Sequence, residues 1–286
     1  MSASVKRRDF ITLLGGTAAA WPLAARAQQQ PAMPVIGFLS IRSAGTDAQF
    51  LVSFRQGLSE AGFVEGRNLA VEYRFAEGRF ERLPVMAADL VGRQVALIVA
   101  TGGNPALLAA KAATATIPIV FTTGDDPVKA GLVQSLNRPG GNLTGVTTSF
   151  GEAAPKRLGL LREILPNDTI IGVLVNPNDS IAANTETNGM RKAAQLVGQR
   201  IEILQAGTDR DIDTAFAHLI DMRAHALIVA PTNSLFVIQA DQLIALAARH
   251  AIPTLYWRRE FTEAGGLMSE GARQSWRDQP VQVRPR

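Results

Sequence analysis

Cysteine is absent from this 286-residue sequence, and histidine occurs only three times. Without cysteine the chain has no disulfide framework, no thiolate nucleophile and no lipidated N-terminal cysteine. His218, His225 and His250 do not show the HExxH spacing of a zinc protease. We interpret each as structural, because no base or nucleophile partner lies at a recognisable spacing. Neither a metal site nor a bound cofactor is therefore expected.

Basic charge is scarce in the body of the chain, although the net charge is +4 and the pI is about 9.8. The excess of lysine and arginine lies in residues 1–27 and 272–286. The segment between them is slightly acidic, so it has no electrostatic footprint for a phosphate backbone. A nucleic-acid partner is therefore not expected.

Residues 1–27 show the three parts of a signal peptide in order: a basic start, an apolar stretch over residues 10–23, and a small-x-small cleavage site ending at Ala27. The apolar stretch is too short and glycine-rich for a membrane span. The run from Arg7 to Ile11 resembles the twin-arginine export signal. We predict an exported protein cleaved near Ala27; an uncleaved anchor or a disordered tail is the alternative.

From residue 34 onward, short β-branched runs alternate with longer amphipathic patterns. This alternation predicts an α/β fold with parallel sheets covered on both faces. The predicted strands are 34–40, 69–75, 95–100, 117–123, 169–176, 200–206, 226–230 and 252–256, and the predicted helices are 47–62, 79–93, 104–114, 153–165, 181–198, 209–222 and 235–249.

Residues 135–148 interrupt the alternation with Pro139, Gly140 and Gly141, and we interpret them as the crossing to a second lobe. The N-terminal lobe is predicted at 28–145 and the C-terminal lobe at 146–256. Each half has four predicted strands on the same Rossmann-like plan. Two such lobes place a cleft between them, at the carboxyl ends of the strands.

The segment 95–111 resembles a phosphate-binding loop, because an apolar strand pattern runs into a Thr-Gly-Gly turn and an alanine-rich helix. The motifs GxGxxG, GxxxxGK[ST] and GxSxG are absent, however, and export disfavours a nucleotide cofactor. We therefore interpret this loop as one side of a ligand cleft. Similar small polar residues follow other strands, which predicts these ligand-binding residues: Ser40, Thr101, Gly102, Gly103, Asn104, Thr123, Asp125, Asn176 and Thr232.

A simpler alternative exists for each loop, namely an ordinary turn with a capped helix, as with Asn104 at the N-cap before Pro105. After the last predicted strand, Tyr256 is expected to stack on an apolar ligand group and Glu260 to pair with an ammonium. The alternative there is a hinge segment with Glu260 solvated and Trp257 packed.

Several runs, such as FRQGLSEAGFVEGRNLAVEYRFAEG and FTTGDDPVKAGLVQSLNRPGGNLTGVT, closely resemble the ABC-transporter substrate-binding proteins that include tryptophan- and tyrosine-binding members. The resemblance covers residues 1 to about 271. It implies a type I periplasmic-binding-protein fold, with residues 257–271 as a hinge crossover. It also implies a periplasmic, non-enzymatic protein that closes on a small amino-acid-like ligand through these loops and delivers it to an ABC permease in the inner membrane.

The chain departs from that family near its end, where the family usually has Tyr at the position of Glu270. Residues 272–286 form a basic, proline-containing tail without an apolar period. We expect a truncated or frame-shifted terminus that leaves a sheet edge or apolar face of the N-terminal lobe uncovered.

Two other functions stay open on the sequence alone. One is an exported α/β enzyme that processes a sugar or nucleotide with Asp125 or Glu260 as acid or base, although nucleophile and metal motifs are missing. The other is a module that senses the same ligand and docks on a receptor.

Overall fold

Two parallel β-sheets of five strands each organise the chain in the computed structural model. The structure describes residues 33–147, 153–166, 168–231 and 235–270. The predicted signal peptide, the predicted tail at 272–286 and Thr232 lie outside these residues. The strands are β1 Val35–Ser40, β2 Ala70–Phe75, β3 Leu97–Thr101, β4 Ile119–Thr123, β5 Leu143–Thr147, β6 Ile170–Val175, β7 Arg200–Gln205, β8 Ala226–Val229, β9 Thr254–Tyr256 and β10 Met268–Ser269.

The helices follow the strands in the alternation that the sequence predicts. The segment predicted as one helix over 235–249 is divided into two. A 3-10 turn at Phe80–Arg82 precedes the second helix. The helices are α1 Ala48–Glu60, α2 Leu83–Gly92, α3 Asn104–Ala113, α4 Ala154–Ile164, α5 Ser180–Val197, α6 Asp209–Asp221, α7 Leu235–Ile238, α8 Ala240–Arg249 and α9 Arg259–Glu263.

The N-terminal sheet has the strand order β2-β1-β3-β4-β5, with every pair parallel. Phe38 of β1, an interior strand, is fully buried, and its ring centroid lies 5.5–6.0 Å from those of Phe50, Phe54, Tyr73 and Phe75. Such tilted aromatic contacts add to the stabilisation that burial of apolar area provides. They pack α1 against one face of this sheet.

The C-terminal sheet has the strand order β10-β9-β8-β6-β7, again all parallel. In β8 the side chains of Ala226 and Ile228 enter the apolar cluster under α4 and α5, whereas Leu227 and Val229 enter the cluster under α6 and α8. This alternation is the two-residue period of a strand buried on both faces. The two-lobed α/β architecture predicted from the sequence is therefore confirmed.

One strand in the N-terminal sheet was not predicted. β5 lies within residues 135–148, which the sequence pattern assigned to the crossing, and the predicted lobe boundary at residue 145 falls inside it. Only Leu143 of β5 is well buried, so this edge strand lacks an apolar pattern. Gly145 lies against the carbonyl and ring of Phe121, where a Cβ would clash. This glycine therefore permits a close approach between strands and does not mark a turn.

A second unpredicted strand, β10, lies in the segment interpreted as a hinge crossover at 257–271. Met268 pairs with Leu255 and Ser269 with Tyr256, so this segment adds an edge strand to the C-terminal sheet. At two residues, β10 is too short to give a periodic signal in the sequence. No helix in the described ranges combines the length and the apolar character that a membrane crossing requires.

Candidate functional site

The turn after β3 directs a buried polar side chain out of the N-terminal sheet. Gly102 and Gly103 have φ angles of 88° and 131°, which are accessible mainly to glycine. They turn the chain into α3, whose first residue is Asn104, and Pro105 occupies the first turn. The alternative in which Asn104 is the N-cap of this helix is wrong, because Gly103 occupies the N-cap position. The Asn104 side chain is therefore available for contacts elsewhere.

The carboxamide of Asn104 connects the two lobes. Its Nδ2 donates to Oδ2 of Asp125 at 2.6 Å and to Oδ1 of Asp179 at 3.1 Å. Asp125 follows β4 of the N-terminal sheet, whereas Asp179 follows β6 of the C-terminal sheet and precedes α5. We call Asn104, Asp125 and Asp179 the Asn104 bridge. It lies at the carboxyl ends of the strands, where a ligand cleft is expected in this architecture.

Hydroxyl groups fix the N-terminal half of the Asn104 bridge. Thr123 Oγ1 donates to Asn104 Oδ1 at 2.9 Å, which sets the orientation of the amide, and it accepts from the Asp125 N–H. Thr147 Oγ1 donates to the carbonyl oxygen of Asp125 at 2.6 Å. Thr101 makes its side-chain contact outside this network, with its Oγ1 3.0 Å from that of Thr122. These contacts preorganise the side chains before any ligand arrives.

The C-terminal half of the bridge is held by its own helix. Asp179 is the N-cap of α5, and its Oδ1 accepts from the Ala182 N–H at 3.2 Å. The N–H of Asp179 donates to the carbonyl oxygen of Asn176. Asn176 is fully buried, and its Oδ1 accepts from the Asn178 N–H at 2.8 Å. Asp179 is therefore fixed in position at the cleft.

The Asn104 bridge contains more negative charge than its surroundings neutralise. Asp125 and Asp179 are 8% and 3% exposed, and neither has an ion pair with a lysine or arginine of the described chain. Burial raises the pKa of Asp179 to about 6; Asp125 also raises it, whereas the hydrogen bonds from Asn104 and Ala182 lower it. Burial raises the pKa of Asp125 as well. The two carboxylates of the Asn104 bridge are therefore not neutralised by any described lysine or arginine.

A second buried cluster lies within the C-terminal lobe. Arg157 of α4 is fully buried; its Nη2 lies 2.5 Å from both carboxylate oxygens of Glu186 on α5, and its Nη1 lies 2.6 Å from Oε1 of Glu270. We call these residues the Arg157 cluster. Burial raises the pKa of Glu186, and Asp125 is among the groups that act in the same direction, whereas Arg157 opposes it. The cluster therefore interacts electrostatically with the Asn104 bridge.

Ser40 and Glu260 belong to two other hydrogen-bond networks, apart from the Asn104 bridge. Ser40 Oγ donates to Asp47 Oδ2 at 2.6 Å, and Arg42 Nη1 binds Asp47 Oδ1 at 3.0 Å. Burial lowers the pKa of Arg42, Asp47 raises it, and the positive charge of Arg258 lowers it. Arg258 in turn pairs with the exposed Glu260 at 2.9 Å. The loop after β1 carries Arg42 and the loop after β9 carries Arg258, and the two arginines lie close enough for their charges to interact.

Tyr256 lies in the C-terminal core, so the prediction that it stacks on a ligand is wrong. It is fully buried, and its ring stacks on Phe261 with centroids 4.6 Å apart. Burial raises its pKa to about 12. Trp257 is also buried against Phe261, and Glu260 is exposed. This arrangement matches the alternative of a packed segment with Glu260 solvated.

The structure thus brings Asn104, Thr123 and Asp125 into one site with Asp179, which the sequence pattern does not predict. It also reveals Arg157, Glu186 and Glu270. Two signals could have found them. Asp179 directly precedes a helix and is a preferred N-cap type, and Arg157 and Glu186 are charged residues on the apolar faces of α4 and α5.

Within the described ranges, no group of three or more histidine or acidic side chains is arranged to hold a metal ion. The sequence matches the family described as ABC transporter substrate binding protein over residues 41–276. It is also 28% identical over 216 residues to the tyrosine-binding protein of Clostridioides difficile strain R20291. That alignment covers 75% of this chain and 60% of the relative, so the chain spans about three fifths of the relative's length.

Solved structures with the same architecture include a conserved domain protein from Vibrio cholerae, at a TM-score of 0.75 and 26% identity over 83% of this chain and 78% of that one. An ABC domain from Streptococcus pneumonia in complex with L-Trp gives a TM-score of 0.70 and 24% identity over 82% and 77% of the two chains. An open, ligand-free substrate-binding protein from Clostridium difficile gives 0.52 and 25% over the same shares. The fold is that of type I periplasmic binding proteins, as predicted.

Proposed function

Because the chain belongs to the family of ABC transporter substrate-binding proteins, we propose that it is the solute-binding component of an ABC importer and binds a small amino-acid-like ligand between its lobes. The observation that carries the proposal is the Asn104 bridge. Two buried carboxylates, one from each lobe, meet there on a single neutral amide. A ligand that contacts both lobes at this point would couple its binding to closure of the cleft.

The charge of the bridge supports a cationic group on the ligand. An ionised carboxylate out of water is costly unless it is paired, and an ammonium supplies three donors for charge-assisted hydrogen bonds. Asp125 and Asp179 lack such a partner among the described residues. We therefore assign the ammonium of the ligand to these two side chains.

The carboxylate of the ligand is assigned to the backbone of the Gly102–Gly103 turn. The Gly102–Gly103 turn leads into the N-terminus of α3, where the helix dipole favours an anion by about 0.3–1 kcal/mol. Thr101, Thr123 and Asn176 remain candidate contacts for polar groups. An amino acid, with an ammonium and a carboxylate on the same carbon, fits this pattern.

The named relative supports the same ligand class, since it is a tyrosine-binding protein. The predicted signal peptide supports a periplasmic location, and the family supports an ABC permease as the partner. The proposal assigns no catalytic role to any residue. Import, in this view, consists of capture by the cleft and release to the permease.

The test is calorimetry on the mature protein with tyrosine and two analogues. Tyramine lacks the carboxylate, and 3-(4-hydroxyphenyl)propionate lacks the ammonium. The other amino acids are screened by thermal shift. We expect micromolar or tighter binding of at least one amino acid, about −8 kcal/mol or better. The deaminated analogue should bind at least about a hundredfold more weakly, because two buried carboxylates would stay unpaired.

The isosteric variant Asp179→Asn should show the same loss for the amino acid. Asp221→Asn, which changes an exposed acid on α6, is the matched control and should bind like the parent protein. Equal binding of the amino acid and its deaminated analogue would contradict the assignment of the ammonium. The absence of a response to any amino acid would contradict the ligand class.

A further inference from the structure

The Asn104 bridge joins two lobes through a contact that is electrostatically incomplete. One amide nitrogen donates to a carboxylate oxygen of each lobe, so the two anionic groups are near neighbours only when the lobes are in contact. Asn104 itself carries no charge. Bringing the lobes together therefore brings like charges together, and separating them returns both carboxylates to water.

The charged groups around the bridge do not supply the missing cation. Glu186, on the same helix as Asp179, adds a further carboxylate. Arg157 on α4 is the buried cation of this region, and its two terminal nitrogens bind Glu186 and Glu270. No ion pair links Arg157 to Asp125 or Asp179 among the residues described. Among the described residues, none supplies the positive charge that would neutralise the two carboxylates when the lobes come together.

We propose that a proton can take the place of the ligand's ammonium in the Asn104 bridge, so that the empty protein closes in acid and opens as the pH rises. The inference rests on the proposed function for the identity of the cationic group, but it concerns the conformation of the ligand-free protein. Asp179 is the side chain assigned to hold the proton.

The direction of the effect follows from proton binding in the two states. With the lobes in contact, burial and the charge of Asp125 raise the pKa of Asp179 to about 6, compared with an ordinary value of 3.8. With the lobes apart, water returns and that pKa falls toward the ordinary value. Between the two values the closed state binds more protons, so the closed-to-open ratio rises up to about tenfold for each unit that the pH falls.

The proton and the ammonium also compete for the same carboxylates. The affinity for an amino acid is therefore expected to fall as the pH drops below about 6, where the empty closed form accumulates. An importer of this kind would bind its ligand best near neutral pH.

The absence of cysteine makes the lobe separation measurable with two introduced thiols and no background. Val85 on α2 and Leu196 on α5 are 73% and 77% exposed, so Val85→Cys and Leu196→Cys place one probe on each lobe. The distance between the two spin labels is then measured by electron paramagnetic resonance on the ligand-free protein between pH 8 and 4.5. We expect a shorter distance to become increasingly populated as the pH falls through the window between about 6 and 3.8.

Asp179→Asn in the labelled protein keeps an N-cap acceptor and removes the charge. It should show the short distance at pH 8 and no response to pH. Asp221→Asn is the matched control and should follow the parent protein. A parent distance that stays constant or lengthens in acid would overturn the proposal, and so would an Asp179→Asn variant that responds to pH like the parent.

The same labelled protein separates this proposal from the proposed function. Closure on an amino acid at pH 8 without closure in acid would retain the ligand assignment and overturn the proton linkage. Closure in acid without a response to any amino acid would support the proton linkage and contradict the ligand class of the proposed function. Unfolding in acid cannot imitate the expected result, because an unfolded chain is more expanded than the folded protein.

Discussion

The Asn104 bridge and the Arg157 cluster are both buried and both rich in carboxylates, but only the second contains its own cation. Arg157 binds Glu186 and Glu270 within one lobe, whereas Asp125 and Asp179 come from different lobes and share a neutral amide. A paired cluster of this kind supports the packing of a lobe. An unpaired cluster at a cleft has negative charge that a cationic ligand can neutralise.

The largest effect should come from removing the cation that makes the two clusters differ. Arg157→Met leaves Glu186 and Glu270 buried without a counter-charge, and breaking a buried pair from one side costs about 3–5 kcal/mol. Urea unfolding should show this loss in the free energy of unfolding. Arg162→Met, at an exposed position of the same helix, should cost much less. Similar losses of unfolding free energy for both variants would show that the buried Arg157 stabilises the fold no more than an exposed arginine does.

A smaller effect is expected when the charge of Asp179 is varied by pH. The folded protein holds its proton up to about pH 6, whereas the unfolded chain releases it near the ordinary value of 3.8. While the lobes stay in contact, the folded state binds more protons in this window, so ionisation of Asp179 lowers the free energy of unfolding as the pH rises. Opening of the lobes relieves this loss, so about 3 kcal/mol is its upper limit. Chemical denaturation of the parent and of Asp179→Asn at several pH values isolates this contribution as their difference. A difference that does not vary with pH would show that Asp179 does not titrate in this way.

Asp125→Asn should separate binding from stability in the unpaired site. Loss of one charge-assisted hydrogen bond to an ammonium is expected to weaken amino-acid binding by about 1.5–3 kcal/mol. Unlike Arg157→Met, this variant should not lower the free energy of unfolding at pH 7, because it removes an unpaired buried charge. Calorimetry and urea unfolding on the same preparation test both parts. A destabilised variant with unchanged affinity would assign Asp125 to the fold instead.

The smallest effect concerns the hydroxyl that fixes the loop of Asp125. Thr147→Val removes the donor to the carbonyl oxygen of Asp125, at a cost of about 0.5–1.5 kcal/mol in ligand binding or stability. Thr144→Val, at an exposed position of the same strand, is the control for the change in side chain. Equal behaviour of the two variants would mean that the loop needs no such support.

The sequence predicts the central strands and most helices well, because buried parallel strands and amphipathic helices have distinct periods. It does not predict β5 or β10, since an exposed edge strand and a two-residue strand carry almost no apolar pattern. Asn104 and Asp125 were found because they follow strands that share one edge of a sheet. Asp179 and Arg157 were missed because their partners lie 75 and 113 residues away, and no local rule specifies such contacts.

The Arg157 cluster has a mechanical consequence for the second lobe. Arg157 lies on the first described helix of that lobe, and Glu270 directly follows its last described strand. One guanidinium in the interior of the lobe therefore holds its first described helix and the end of its last described strand together. Elements at opposite ends of this part of the sequence are thus cross-linked by charge, so loosening either one would expose the same buried cation.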